Sequence, residues 1–169
     1  ILTGSADGTA RIFDFDTKFE AAVLESHGDE VSSASYSADG TMIVTSSDDH
    51  LSKIWDAKSK KLIRTLVGSK SEIWQAVFSE RGDFVGACTY TGELLVWETA
   101  TGKLVLSIDD AHNGQIGSLA FSKDGKRLIT AGDDASLRIW DIETGVNLFE
   151  LLDNANVEFG HVSFSDDGK

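Results

Sequence analysis

The sequence predicts an all-β fold built from repeated four-stranded antiparallel sheets, and three observations support this prediction. First, a short phrase recurs: LRIWDIETG at 137–145 resembles LSKIWDAKS at 51–59 and LLVWETATG at 94–102. Second, the chain between these phrases consists of short runs rich in β-branched and aromatic residues, which favour strands. Third, Asp-Gly pairs such as Asp39-Gly40 separate the runs, as tight turns between paired strands require.

The recurring phrase defines a repeat of 42 or 43 residues. An aromatic residue followed by an acidic residue marks each repeat at Phe13, Trp55, Trp97 and Trp140. Between these markers, an aromatic-Ser-x-x-Gly pattern returns and ends at Gly40, Gly82, Gly125 and Gly168. A period in the forties with four short strands per repeat is typical of the blades of a β-propeller.

The repeat divides the whole chain into blades. The pattern predicts a partial blade at 1–25, blades at 26–67, 68–110 and 111–153, and the first strand of a further blade at 154–169. Within the terminal pieces, residues 1–4 fit a second strand and residues 159–164 fit a first strand. The two ends placed together would make one repeat, so we expect four repeats in the chain.

These features resemble the WD-repeat β-propeller family over the whole length of the chain. The resemblance rests on the period, the Trp-Asp dipeptide, a histidine before the first strand and an aspartate in the turn before the Trp strand. Proline, common in the family's Ser-Pro-Asp-Gly turn, is absent from this sequence. That departure has a small expected cost, because proline only presets φ at this position.

The resemblance implies that the chain is a segment of a larger propeller with seven or eight blades. A propeller has to close, because open strand edges promote aggregation. We expect the ring to be completed by missing residues, by another chain or by a second copy. Two copies that form one eight-bladed ring, or one chain that closes with four blades, are the alternatives.

The resemblance also implies a hydrogen-bonded chain inside two of the repeats. In the family, Trp, Thr or Ser, His and Asp are joined in this order, which gives the buried indole N–H an acceptor. The members are His27, Thr45, Asp49 and Trp55 in one repeat, and His112, Thr130, Asp134 and Trp140 in another. The repeat around Trp97 lacks the pattern, since Ser69, Ala87 and Thr91 occupy the positions of His, Thr and Asp.

A second implication concerns the positions that line one end of the central funnel and bind partners in the family. Mapped onto this sequence, the expected partner-binding residues are Glu30, Asp48, Glu72, Trp74, Tyr90, Gln115, Asp133 and Glu158. Trp74 is unusual, because the equivalent positions in the other repeats hold Ser or Gly. We expect an acidic funnel with an aromatic pair that binds a basic peptide. The alternative is that Trp74 packs in the core of its blade and compensates for Ala87.

Composition limits the partner classes further. The chain is 41% hydrophobic and 25% charged, which fits a folded domain, and its net charge of −13 disfavours direct binding to nucleic acid or to a membrane. The charge also fits a role in solubility alone. With one cysteine, Cys88, no internal disulfide is expected, which favours an intracellular protein that is cytoplasmic, nuclear or cytoskeletal.

The sequence does not predict an enzyme. It contains no phosphate-binding glycine motif, and we expect no catalytic residues, no metal site and no cofactor. The predicted function is a non-catalytic protein–protein interaction scaffold that assembles multiprotein complexes. The alternative is a permanent structural building block of a large assembly, which extensive exposed apolar surface on the sides of the propeller would favour.

Overall fold

The computed structural model describes residues 1–25, 27–152 and 159–165, and all regular secondary structure in these residues is β-strand. Four antiparallel sheets follow one another along the chain, and we call them blades 1 to 4. Blade 1 contains β1 (Leu2–Gly4), β2 (Thr9–Phe13) and β3 (Glu20–Glu25). Blade 2 contains β4 (Val31–Tyr36), β5 (Met42–Ser47), β6 (Ser52–Asp56) and β7 (Leu62–Leu66). Blade 3 contains β8 (Ile73–Phe78), β9 (Phe84–Thr89), β10 (Leu94–Glu98) and β11 (Leu104–Ile108). Blade 4 contains β12 (Ile116–Phe121), β13 (Arg127–Gly132), β14 (Ser136–Asp141) and β15 (Asn147–Leu152).

Each strand pairs with its neighbours in sequence, so every blade is a simple meander. The turn between β4 and β5 shows how the repeated Ser-x-Asp-Gly residues produce it. Gly40 adopts a φ of +71° and its N–H donates to the Ser37 carbonyl at 2.8 Å. Asp39 accepts the N–H of Thr41 at 3.0 Å. Glycine and aspartate therefore close the turn without proline.

Adjacent blades pack face to face through buried aliphatic and aromatic side chains. Between blades 2 and 3, Ile54 and Leu66 lie in one cluster with Leu95 and Trp97, all without solvent exposure. Similar clusters join blade 1 to blade 2 and blade 3 to blade 4. Because burying one such side chain stabilises a fold by about 1.5–3 kcal/mol, these interfaces are the main source of stability.

The first strands of blades 2, 3 and 4 each contain a β-bulge near their start. The pairing register shifts around Ser32 in β4, around Trp74 in β8 and around Gly117 in β12. A bulge redirects the side chain of the extra residue and bends the strand. The bulge in β8 therefore sets the direction of the Trp74 side chain.

No β-strand is assigned within residues 159–165, and the predicted first strand at 159–164 stays a prediction. A strand requires a hydrogen-bonded partner strand, and none of the described strands pairs with this segment. Val162 is nevertheless buried against Ile129 and Ala131 of blade 4, with Phe159 and Phe164 packed beside it. The remainder of the segment predicted at 154–169 lies outside the described residues.

The all-β, antiparallel, repeated architecture that the sequence predicts is confirmed. Blade 1 has three described strands, where a complete blade has four. The four described sheets do not close into a ring. The predicted blade boundaries and the total number of blades stay predictions.

Candidate functional site

A hydrogen-bonded chain of four side chains runs through blade 2. The Trp55 indole N–H donates to Thr45 Oγ1 at 3.0 Å, and Thr45 Oγ1 lies 2.7 Å from His27 Nε2. The other ring nitrogen, Nδ1, lies 2.9 Å from Asp49 Oδ2, which also accepts the Gly28 N–H at 2.8 Å. These hydrogen bonds thus join β5 and β6 to the segment that precedes β4.

Blade 4 contains the equivalent chain with almost the same distances. Trp140 Nε1 donates to Thr130 Oγ1 at 2.9 Å, Thr130 Oγ1 lies 2.7 Å from His112 Nε2, and His112 Nδ1 lies 2.9 Å from Asp134 Oδ1. Ser136 adds a contact that the sequence comparison of repeats did not indicate, with its hydroxyl 3.0 Å from His112 Nδ1.

The protonation states follow from burial and from the direction of the bonds. Burial lowers the pKa of His27 and of His112 more than the adjacent carboxylates raise it, so both rings are neutral at pH 7. Burial alone would raise the pKa of Asp134, but hydrogen bonds from His112 and Ser136 outweigh it and leave the pKa well below its usual range. A neutral ring with its proton on Nδ1 accepts from threonine and donates to the carboxylate.

Ser136, His112 and Asp134 do not form a catalytic triad. In such a triad the serine contacts one ring nitrogen and the aspartate contacts the other. Here both contact Nδ1, while Nε2 is occupied by Thr130. Ser136 and Thr130 are also fully buried, so no substrate reaches either hydroxyl. The arrangement stabilises the blade.

Blade 3 replaces this chain with a different set of bonds. The buried Trp97 donates its indole N–H to the Val67 carbonyl at 2.8 Å, because Ala87 offers no hydroxyl. Glu93, which is 2% exposed, accepts the Ser69 hydroxyl at 2.9 Å and the Lys70 N–H at 3.1 Å. Glu93 thus accepts a backbone N–H from the segment before the first strand of blade 3, as Asp49 accepts the Gly28 N–H before the first strand of blade 2.

Sequence reasoning missed the role of Glu93, since it considered Thr91, which holds the position of the aspartate. A signal was present, because Glu93 directly precedes the apolar run Leu94–Val96 of β10. A carboxylate at the edge of a buried strand requires hydrogen-bond donors nearby.

The predicted partner-binding residues occupy equivalent positions in three blades, at the end where the first strand of each blade begins. In each blade a residue of the turn after the second strand donates its backbone N–H to the carbonyl of the residue before the first strand. The pairs are Asp48 and Glu30 at 3.0 Å, Tyr90 and Glu72 at 3.3 Å, and Asp133 and Gln115 at 2.9 Å. Glu158 lies outside the described residues.

Trp74 and Tyr90 form an aromatic pair within this surface. Their ring centroids are 5.5 Å apart with an interplanar angle of 69°, which is an edge-to-face arrangement. Trp74 is 36% exposed and Tyr90 is 37% exposed. The Trp74 indole N–H donates to the Gly117 carbonyl of blade 4 at 3.0 Å. The ring therefore bridges two blades at the surface. It does not pack in the core of blade 3 to compensate for the small side chain of Ala87.

The charges around the aromatic pair are negative. Burial raises the pKa of the Tyr90 hydroxyl, and the carboxylates of Asp48, Glu30 and Glu72 raise it further. The backbone N–H of Glu72 and the Ser71 hydroxyl lower the pKa of the Glu72 carboxyl, so it is charged at neutral pH. The face of an aromatic ring beside several carboxylates favours a bound cation.

The described residues hold neither a metal centre nor a reactive cysteine. They contain no cluster of three or more His, Cys, Asp or Glu side chains arranged to hold a metal ion. Burial raises the pKa of the Cys88 thiol far above its usual range, and its sulfur donates to the Ile116 carbonyl. No helix in the described part of the chain is long and apolar enough to cross a membrane.

Comparison with known families identifies the repeats. The family described as "WD domain, G-beta repeat" matches residues 19–56 and 102–141. Each matched segment ends on the acidic residue of a Trp-Asp dipeptide, and the two segments end in blades 2 and 4, which contain the complete Trp–Thr–His–Asp chain.

Several curated proteins are similar to most of this chain. Nuclear distribution protein nudF of Aspergillus niger is 27% identical over 79% of the chain and 34% of the relative. Transcription initiation factor TFIID subunit 5 of Caenorhabditis elegans is 29% identical over 73% of the chain and 19% of the relative. Eukaryotic translation initiation factor 3 subunit I of Culex quinquefasciatus is 31% identical over 79% of the chain and 44% of the relative. The chain thus spans less than half the length of each of these relatives.

Proposed function

Because the chain belongs to the WD-repeat family, we propose that it is a non-catalytic scaffold that assembles protein complexes. Two of the relatives described above are named as subunits of initiation factors, which supports a role in complexes and an intracellular location. Rigid blades hold many loops in fixed positions, and this arrangement suits binding to several proteins. Further blades, from the same chain, another chain or a second copy, would complete the ring.

The partner that the surface fits best is a basic peptide bound at the Trp74–Tyr90 pair. The observation that carries this proposal is an exposed aromatic pair, 5.5 Å between centroids, among the carboxylates of Glu30, Asp48 and Glu72. A Lys or Arg side chain over the Trp74 ring gains about 0.5–2 kcal/mol from the cation–π contact. The carboxylates add attraction that increases the association rate.

The test is the affinity of a fluorescein-labelled peptide of alternating glycine and arginine, measured by anisotropy. Trp74→Ala should weaken binding by about 2- to 30-fold, since it removes the cation–π contact. Trp74→Phe loses the hydrogen bond to Gly117 but keeps an aromatic ring for the cation–π contact. It should therefore retain most of the affinity. Glu72→Lys should weaken binding more than Asp16→Lys, an equal change of charge at an exposed turn of blade 1.

Salt dependence provides a second test of the same site. The affinity for the arginine peptide should fall as the ionic strength rises, because the Debye length shortens to about 8 Å at 0.15 M. Equal affinity of the wild type, Trp74→Ala and Glu72→Lys would remove this site from the proposal while leaving the scaffold role in place.

A permanent building block is the second candidate, and one observation favours it. Three outer strands expose aliphatic side chains, among them Ile63 at 47%, Val105 at 40% and Leu148 at 54%. A permanent partner would cover such a row. Sedimentation of the protein from its native source at decreasing concentration distinguishes the two, since a building block stays in its assembly and a transient scaffold dissociates.

A further inference from the structure

Two grooves lie at the end of the blades opposite the Trp74–Tyr90 pair. One lies between blades 2 and 3, and the other lies between blades 3 and 4. Phe84 and Glu98 line both grooves, so the two are adjacent. Phe84 pairs with Glu98 at one end of blade 3, whereas Ile73 pairs with Thr89 at the other end, next to Trp74. This surface is therefore separate from the aromatic site.

Each groove contains an exposed aliphatic side chain from an outer strand. The pairing register of β6 with β7 shifts between Trp55 and Ile54, which leaves Ile63 as the extra residue. The same shift between β10 and β11 leaves Val105 as the extra residue. Bulges redirect side chains, and here they direct one branched aliphatic side chain into each groove.

The groove between blades 3 and 4 has an apolar floor and a negatively charged rim. Phe84, Val105 and the buried Ile142 line the floor. The rim carries the carboxylates of Glu98, Asp141 and Glu143 and one ammonium group, that of Lys126. The Thr144 hydroxyl and N–H lower the pKa of Asp141, which keeps it charged.

The lining of the groove between blades 2 and 3 carries a smaller net negative charge. Arg64 contributes one positive charge there, and its guanidinium donates to the carbonyls of Ala100 and Thr101 at 2.7 and 2.8 Å. The carboxylates of Asp83 and Glu98 line the same groove.

We propose that these two adjacent grooves together bind a linear segment of a second protein partner, in which aliphatic side chains alternate with Lys or Arg. The aliphatic side chains contact Phe84, Val105 and Ile63, and the cationic side chains face the carboxylates of the rim. The proposal goes beyond the function proposed above and does not depend on Trp74. Two binding surfaces at opposite ends of the blades let one chain hold two proteins at once.

The test uses a fluorescein-labelled octapeptide with two Leu-Lys pairs separated by glycines, and measures its affinity by anisotropy. Val105→Arg should weaken binding at least tenfold, because it removes the apolar contact and repels the lysines. Val105→Ile should preserve the affinity, and Trp74→Ala should change it less than twofold. Replacing both leucines of the peptide by serine should also weaken binding at least tenfold.

Two results would overturn the groove proposal. One is a Leu-Lys peptide that loses affinity with Trp74→Ala and not with Val105→Arg, which would assign it to the aromatic site. The other is equal binding of the serine version, which would show attraction by charge alone. If thermal unfolding shows that Val105→Arg is not folded, Glu143→Lys, at an exposed turn residue, replaces it with the same expected direction of change.

Discussion

Replacing Thr130 by valine tests the hydrogen-bonded chain inside blade 4. Valine has nearly the same shape, so the substitution removes the hydroxyl and leaves the packing almost unchanged. In the wild type this hydroxyl lies 2.9 Å from Trp140 Nε1 and 2.7 Å from His112 Nε2. The variant leaves both nitrogens buried without a partner. Because each of the two orphaned buried polar groups costs about 1–3 kcal/mol, we expect the free energy of unfolding to fall by about 2–6 kcal/mol.

Thr99→Val is the matched control for this substitution. Thr99 is 8% exposed, and its hydroxyl oxygen has no hydrogen-bond partner. The same chemical change should therefore leave the stability unchanged or raise it slightly, since an unpaired buried hydroxyl is unfavourable. Urea unfolding followed by tryptophan fluorescence measures both variants, with the slope of the transition compared to detect any loss of cooperativity.

The two variants together can contradict the account. If Thr130→Val and Thr99→Val lower the stability by the same amount, the Trp–Thr–His–Asp chain contributes nothing beyond the packing of a threonine-sized side chain. Thr45→Val in blade 2 should lower the free energy of unfolding as Thr130→Val does. The losses should add in the double variant, because the hydrogen-bonded chains of blades 2 and 4 share no residue.

Further predictions concern pH, backbone conformation and the buried thiol. The pKa values of His27 and His112 are lowered in the folded protein, so their neutral forms stabilise it. This contribution is complete above about pH 6.5 and declines as the pH falls below that value. The urea concentration at the unfolding midpoint should therefore decrease when the pH is lowered from 7.5 to 5.5. Gly92 has a φ of +89°, and an added Cβ would lie 2.1 Å from a carbonyl oxygen, so Gly92→Ala should cost more than about 2 kcal/mol. Gly40→Ala, with no atom within 4 Å of the added Cβ, should cost only about 1–2 kcal/mol in the same unfolding assay. Burial raises the pKa of Cys88, so a thiol reagent should modify it only after urea unfolds the chain.

The sequence predicted the repeated elements of the fold well, because each repeat carries strong local signals. Asp39 and Gly40 mark a turn by their own chemistry, and the aromatic residue of each repeat marks the buried third strand. Each blade then needs only pairing between neighbouring strands, which depends little on distant parts of the chain.

The sequence was less informative where a role depends on two blades together. The acceptor for the Trp74 indole is a carbonyl of Gly117, 43 residues away, and any residue type offers a carbonyl. The acceptor for Trp97 is likewise a backbone carbonyl, at Val67. The segment at 159–164 has the composition of a strand, but pairing requires a partner strand that composition cannot supply.

The most direct test of the central functional claim is a titration of the ¹⁵N-labelled chain with the Gly-Arg peptide, followed through the indole N–H resonances. The protein has four tryptophans, and Trp74, at 36% exposure, is far more exposed than Trp55, Trp97 and Trp140, which are at most 6% exposed. The Trp74→Phe variant assigns its resonance. Binding at the acidic, aromatic end should shift the Trp74 signal in proportion to saturation and leave the other three in place. A peptide that binds without moving the Trp74 signal would contradict the claim.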